Sequence, residues 1–315
     1  MCARARACLW GCGGGGGDAL RVQLPLDTEL RMVLSAAELQ DFGTRGWVVK
    51  NIFSPDECAA LRAAGEEQLA VEARAKGTTS ERLLAEAVYW SFHGIIDTQP
   101  SEEKPEGAAT AARASVFKAI WLEHPKLQRI LVQLLGAGPP VFTDSSVRMA
   151  APHPHRHNAE ELPGPFGNLR DPATMSWHRG IRPAWGVKRG PAPDQIHTSW
   201  LNTATFCSDV SSSADGGTCV LTGSHLIDDE DLGRHVPRRD QAICPMGSVL
   251  FFTESLIHSA VDVLSEKTRY ALFVACVPPG VRSARLGWRA SDEGEDWTSG
   301  LEQRRKARRE FGARL

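Results

Sequence analysis

At 315 residues, 42% apolar and 23% charged, the chain has the size and composition of a folded protein with a sizeable core, which excludes a largely disordered one. Its net charge of −2 is uneven: residues 302–315 carry +4 and the rest −6, and so acidic a body argues against a nucleic-acid surface. No run approaches ~18 apolar residues, so no membrane-spanning helix is expected, and eight scattered cysteines without a CxxC pair fit neither a zinc ribbon nor a disulfide framework and suit a reducing compartment.

Residues 1–33 open with a Gly-rich, acid-free stretch that lacks the serines of a transit peptide; it is read as disordered. Structure is expected from residue 34. Ser35-Ala36-Ala37-Glu38 is a capping box, starting a helix to about Gly43. Residues 46–53 (GWVVKNIF) read as a strand. Ser54-Pro55-Asp56-Glu57 is a second capping box with proline at the first helical position, opening a helix to about Lys76. A further helix is expected over 80–90, and a polar loop over 101–108. His124-Pro125 opens a helix whose apolar residues Leu127, Ile130, Leu131, Leu134 and Leu135 share one face, ended by Gly136.

Beyond Pro140 short β-rich runs alternate with turn residues, at 141–150, 173–178, 195–210, 217–222, 247–253 and 268–277. Helices followed by many short strands predict an α+β, mainly β fold, with N-terminal helices packed on a sandwich or barrel over residues 34–280. The irregular insertion 151–172 is expected to be a lid, with His153, His155 and His157 as lid or surface residues. Residues 281–315 form a basic C-terminal tail, read as a solvated helical end.

Three residues carry the candidate chemistry. His178 follows a short strand, His258 ends the apolar run that begins at Gly247, and Arg269 opens the last strand. Two histidines on one face suit a non-haem iron site with open positions, and an arginine facing the same mouth suits bidentate binding of a carboxylate. Trp177, next to His178, should point to the opposite sheet face, into the core. His225 is expected to order its own turn, and Gly216 and Gly217 to adopt positive φ in another.

Three segments together resemble the phytanoyl-CoA dioxygenase family from about residue 34 to 279. They are the opening Leu34-Ser35 to Ser54-Pro55-Asp56-Glu57 stretch, the turn Asp215-Gly216-Gly217 to Gly223-Ser224-His225 (with Thr222 in place of a proline), and the ending Gly247-Ser248, His258, Arg269. The resemblance implies a double-stranded β-helix (jelly roll) and an Fe(II)/2-oxoglutarate-dependent dioxygenase. His178 and His258 would bind the metal, and Arg269 would bind 2-oxoglutarate. The substrate implied is a small-molecule or lipid-like compound, with no nucleic acid as partner. A cytoplasmic location is expected, with a peroxisomal alternative in the relaxed address Ala313-Arg314-Leu315.

One departure matters. The family's first motif is His-x-Asp, whereas here it is His178-Arg179-Gly180, as in a subgroup that carries Phe-Thr-Glu before the second histidine, here Phe252-Thr253-Glu254. Four readings stay open at this point. Another group or water replaces the aspartate; a halide occupies the space, as in 2-oxoglutarate halogenases; iron is lost and the barrel only binds; or His197 replaces His178 as the first ligand. Of the replacement groups, Asp215 lies in a Gly-rich turn and Asp171 precedes the His178 run. Glu254 lies four residues before His258. On a straight strand that spacing is roughly 13 Å, too far to share a metal unless a bulge intervenes.

Overall fold

The computed structural model describes residues 33–95, 116–136, 138–154, 156–158, 177–192, 195–232, 234 and 237–279. The N-terminal segment up to residue 32, the 101–108 loop, most of the expected lid with His155 and Asp171, and the basic tail lie outside the described residues. So does the Ala313-Arg314-Leu315 end.

Both capping boxes form. Ser35 caps α1 (Ala36–Arg45), which ends on Gly46 in the left-handed conformation, and Ser54 caps α2 (Pro55–Ala75). Between them lies β1 (Trp47–Asn51). The helix expected over 80–90 is shorter: α3 spans Ser80–Ala87, and a turn at Val88 (φ 56°) starts β2 (Tyr89–His93). A π-helical turn at Lys118–Leu122 precedes α4 (Pro125–Leu135), whose buried face holds the apolar residues expected of it.

The strands are β3 (Val141–Ala150), β4 (Val187–Arg189), β5 (Ile196–Thr198), β6 (Leu201–Phe206), β7 (Gly217–Thr222), β8 (Arg238–Gln241), β9 (Ser248–Thr253), β10 (His258–Val261) and β11 (Arg269–Val277). β3 and β7 match their expected limits. The run 195–210 divides at Ser199-Trp200 into β5 and β6. A six-stranded antiparallel sheet has the order β1-β9-β6-β11-β3-β2, a three-stranded one the order β10-β7-β8, and β4 pairs with β5. These two larger sheets form the walls of the jelly roll.

Period-two alternation decides what each strand shows to either side. On β11 and β3, Tyr270, Leu272, Val147 and Met149 join Leu61, Leu131 and Leu134 in one core cluster beneath the helices. Arg269, Phe273, Ser146 and Arg148 face the interior of the roll. The Tyr270 hydroxyl donates to the Leu61 carbonyl of α2 at 2.9 Å, tying helix to sheet. The five cysteines among the described residues are buried thiols. Among the same residues, no helix is long and apolar enough to cross a membrane.

Candidate active site

Between the two sheets lies a cavity of about 210 Å3 that brings together His178, His258, Arg269 and Glu254. The major sheet contributes Tyr89, Arg148, Asn202 and Phe252, and the minor sheet Thr218 and Ser259.

The chain direction around His258 differs from the expectation. His258 does not end the Gly247 strand. β9 stops at Thr253, whose carbonyl accepts from the Leu256 N–H at 2.9 Å, and the chain turns through 254–257 to enter the opposite sheet, where His258 begins β10. His178 lies beside it as an isolated antiparallel bridge. Its N–H donates to the His258 carbonyl at 3.0 Å, and His258 N–H donates back at 2.9 Å. The two imidazole centroids are 4.3 Å apart. His258 Nδ1 contacts the Leu256 carbonyl at 2.9 Å; a carbonyl only accepts, so Nδ1 carries the proton and Nε2 retains its lone pair. That is the tautomer a metal-binding histidine needs.

The competitor His197 sits elsewhere, in β5 against Gly136 at the end of α4, and is not among the residues that line this cavity. Trp177 is 1% exposed and packs with Leu221, Ile257 and Val261, on the core side as expected. His153 is buried and His157 exposed beside Glu266.

The Asp215 and Gly-Ser-His turns are scaffolding. Asp215 accepts from Ser211 and Ser212 backbone N–H and from Lys267, and despite burial the hydrogen bonds from Ser265, Ser211 and Lys267 hold its carboxyl far below the usual range. Gly216 and Gly217 take φ of 75° and 119° there. Ser224 Oγ accepts from Ile257 N–H at 2.9 Å, and Arg179 donates to the Ser224 and Ile227 carbonyls. These bonds brace the segments carrying both histidines. His225 is buried against the Gly43 carbonyl, with its pKa pushed down to about 4 by loss of solvent. Thr222, where the family has proline, accepts from Trp47 Nε1 and donates to Asp240.

Arg269 opens β11 and is 4% exposed, with Nη1 donating to the Gly217 carbonyl at 2.8 Å and the Val261 carbonyl at 3.2 Å. These bonds fix the guanidinium at the cavity wall, where a buried cation attracts an anion strongly. Asp262, just past β10, is also buried, and desolvation raises its pKa to about 6 against the opposing pull of Arg269. Because the folded value lies above the unfolded one of about 3.9, the fold favours the protonated acid. Stability from this group is complete below pH ~4 and is lost as pH rises through 6, by about 3 kcal/mol. Asp262→Asn is therefore expected to raise the melting temperature at pH 7.5 and to leave it unchanged near pH 4. Parallel melting curves from pH 4 to 8 would contradict this.

Sequence reasoning missed Tyr89, Arg148 and Asn202 as cavity residues and set Glu254 apart from His258 only on the premise of a straight strand. The 13 Å separation assumed a straight strand, and the 254–257 corner removes that premise. Gly180 N–H donates to the Glu254 carbonyl at 3.1 Å, and Asn202 Nδ2 donates to Glu254 Oε2. A Cβ placed on Gly180 would run into Glu254 Oε1 and lie 2.7 Å from its Cγ and Cδ.

The sequence model of the family described as phytanoyl-CoA dioxygenase (PhyH) matches residues 47–271, more than half of the chain. The chain belongs to the phytanoyl-CoA dioxygenase family. That membership makes it a 2-oxoglutarate-dependent oxygenase, with Fe(II) and 2-oxoglutarate as cofactor and co-substrate. Among solved structures it is similar to AviO1 from Streptomyces viridochromogenes Tue57 (18% identity, 81% of this chain and 99% of that one, TM-score 0.51). It is also similar to HygX from Streptomyces hygroscopicus with iron bound (16% identity, 78% of this chain and 88% of that one, TM-score 0.51). At such identities the likeness concerns the fold, here the jelly roll of the family. Among curated proteins, none matches this chain.

Proposed function

We infer that this phytanoyl-CoA dioxygenase family member hydroxylates an unactivated C–H bond of a small molecule, with Fe(II) on His178 and His258 and 2-oxoglutarate on Arg269. The observation that carries this reading is the pairing of the two histidines on adjacent backbone, in one cavity with a buried arginine. The residues fit the metal: two imidazoles side by side, one with its Nδ1 proton already committed to a carbonyl. Bound iron would supply the oxidising chemistry, coupling decarboxylation of 2-oxoglutarate by O2, to succinate and CO2, with insertion of one oxygen atom into the substrate.

The chain's own contribution is position and dryness. Arg269 orients the co-substrate by its distal carboxylate. The 178–258 bridge sets the spacing of the imidazoles, and Phe252 and Phe273 add apolar surface to the cavity wall. Asp144, Arg148 and Asn202 on the walls favour a substrate with polar groups over a bare acyl chain. A polar ligand also accompanies a related fold, since HygX has been solved with nickel, 2-oxoglutarate and hygromycin B bound.

Anaerobic addition of Fe(II) and then 2-oxoglutarate is expected to produce the visible charge-transfer absorption of the chelate. His178→Ala and His258→Ala should abolish it. A wild-type chain that retains no iron and gives no absorption would leave a barrel that binds without catalysis.

A further inference from the structure

We propose that Glu254 supplies the carboxylate ligand that position 180 lacks, so that the metal triad of this chain is His178, His258 and Glu254. The proposal rests on the reading of the two histidines given above. It is carried by the space at Gly180.

Gly180 does not adopt the left-handed backbone that calls for glycine. What it requires is room, and the occupant of that room is the Glu254 side chain, with Oε1, Cγ and Cδ all in the path of a Cβ. A carboxylate reaching in from residue 254 thus occupies the point from which a side chain at 180 would start. Backbone pairing makes the substitution geometrically coherent. Residues 178 and 258 bond reciprocally, and Gly180 N–H bonds to the Glu254 carbonyl, so two points of one segment are pinned beside two points of the other. The corner at 254–257 lets the chain contribute one ligand from the end of β9 and another from the start of β10.

Glu254 is half-buried at the cavity wall, and Asn202 donates to its Oε2. An outer hydrogen bond of this kind aims a ligating carboxylate and limits its motion. Two imidazoles and one carboxylate with open positions are the donor set of a non-haem Fe(II) oxygenase. Among the described residues no three such side chains are yet drawn together on one point. Binding of the ion is what would close this set. The same carboxylate disfavours the halide alternative, because the space beside Gly180 is filled and its occupant is negatively charged.

The test is metal binding by the full chain, with Co(II) as the probe, followed by calorimetry and by the visible d–d absorption of the bound ion. Glu254→Ala and Glu254→Gln are expected to weaken Co(II) binding by roughly tenfold or more and to change the absorption. The double variant Gly180→Asp/Glu254→Ala is expected to recover most of the affinity, because the shorter acid enters the space that the alanine vacates. Wild-type affinity and spectrum in both Glu254 variants, with loss in His258→Ala, would overturn the proposal while leaving the histidine reading intact. A wild-type chain that takes up no Co(II) would overturn both. If the double variant does not fold, the isosteric Glu254→Gln result decides alone.

Discussion

Replacing Arg269 by alanine is expected to weaken 2-oxoglutarate binding about 100-fold or more. Truncating one partner of a buried, hydrogen-bonded charge pair costs ~2–5 kcal/mol, and Arg269 meets that description: it is almost fully buried and held by the Gly217 and Val261 carbonyls. No water competes at full strength for the co-substrate's carboxylate there, so little is lost to screening. The measurement is the half-saturation of the anaerobic charge-transfer absorption by 2-oxoglutarate, with Co(II) affinity and circular dichroism as controls. Both controls should hold near wild type, because His178 and His258, the residues proposed to bind the metal, lie elsewhere on the wall. Arg269→Lys keeps the charge but loses the planar fork and should fall between. An unchanged half-saturation in Arg269→Ala would remove this residue from the co-substrate site.

Gly247→Ala is expected to be the most damaging of the conservative glycine substitutions, at ~3 kcal/mol or more. Gly247 precedes β9 with φ of 85°, and its carbonyl accepts from both Ile52 and Phe53 N–H. A Cβ there would run into the Phe53 carbonyl oxygen and meet its carbon at 3.0 Å. Backbone held by its own hydrogen bonds cannot swing aside as a side chain can. For a domain of this size the melting temperature should fall on the order of 10 °C. Gly77→Ala is the matched control: φ is also positive, at 66°, but nothing lies within 4 Å of the added atom. It should cost only ~1 kcal/mol of backbone strain. Equal losses in the two variants would show that the close approach to Phe53 is not the cause.

Local chemistry was legible in the sequence, and non-local geometry was not. Ser35 and Ser54 announce their helices because a capping box is complete within four residues. β3 and β7 are legible because β-forming runs end at Pro140 and at glycines. His178, His258 and Arg269 could be picked out by motif, and the fold brings them to one cavity. Glu254 could not be placed, because its relation to Gly180 depends on a turn at 254–257 that carries no glycine or proline to mark it. Its stabilising contacts come from distant residues, including Ser224 Oγ on Ile257 N–H and Asn202 on Glu254. β2 was lost for a similar reason: its strand character is fixed by pairing with β3, some sixty residues later.

The steric exclusion at Gly180 has an evolutionary side. Any side chain at 180 and the present Glu254 compete for one volume, so the two positions are epistatic. An acid added at 180 alone should crowd the site, and an acid removed at 254 alone should empty it. Exchanging the two together should be tolerated. A scan of single substitutions would therefore score both positions as intolerant and overlook the neighbouring arrangement, which lies two simultaneous steps away.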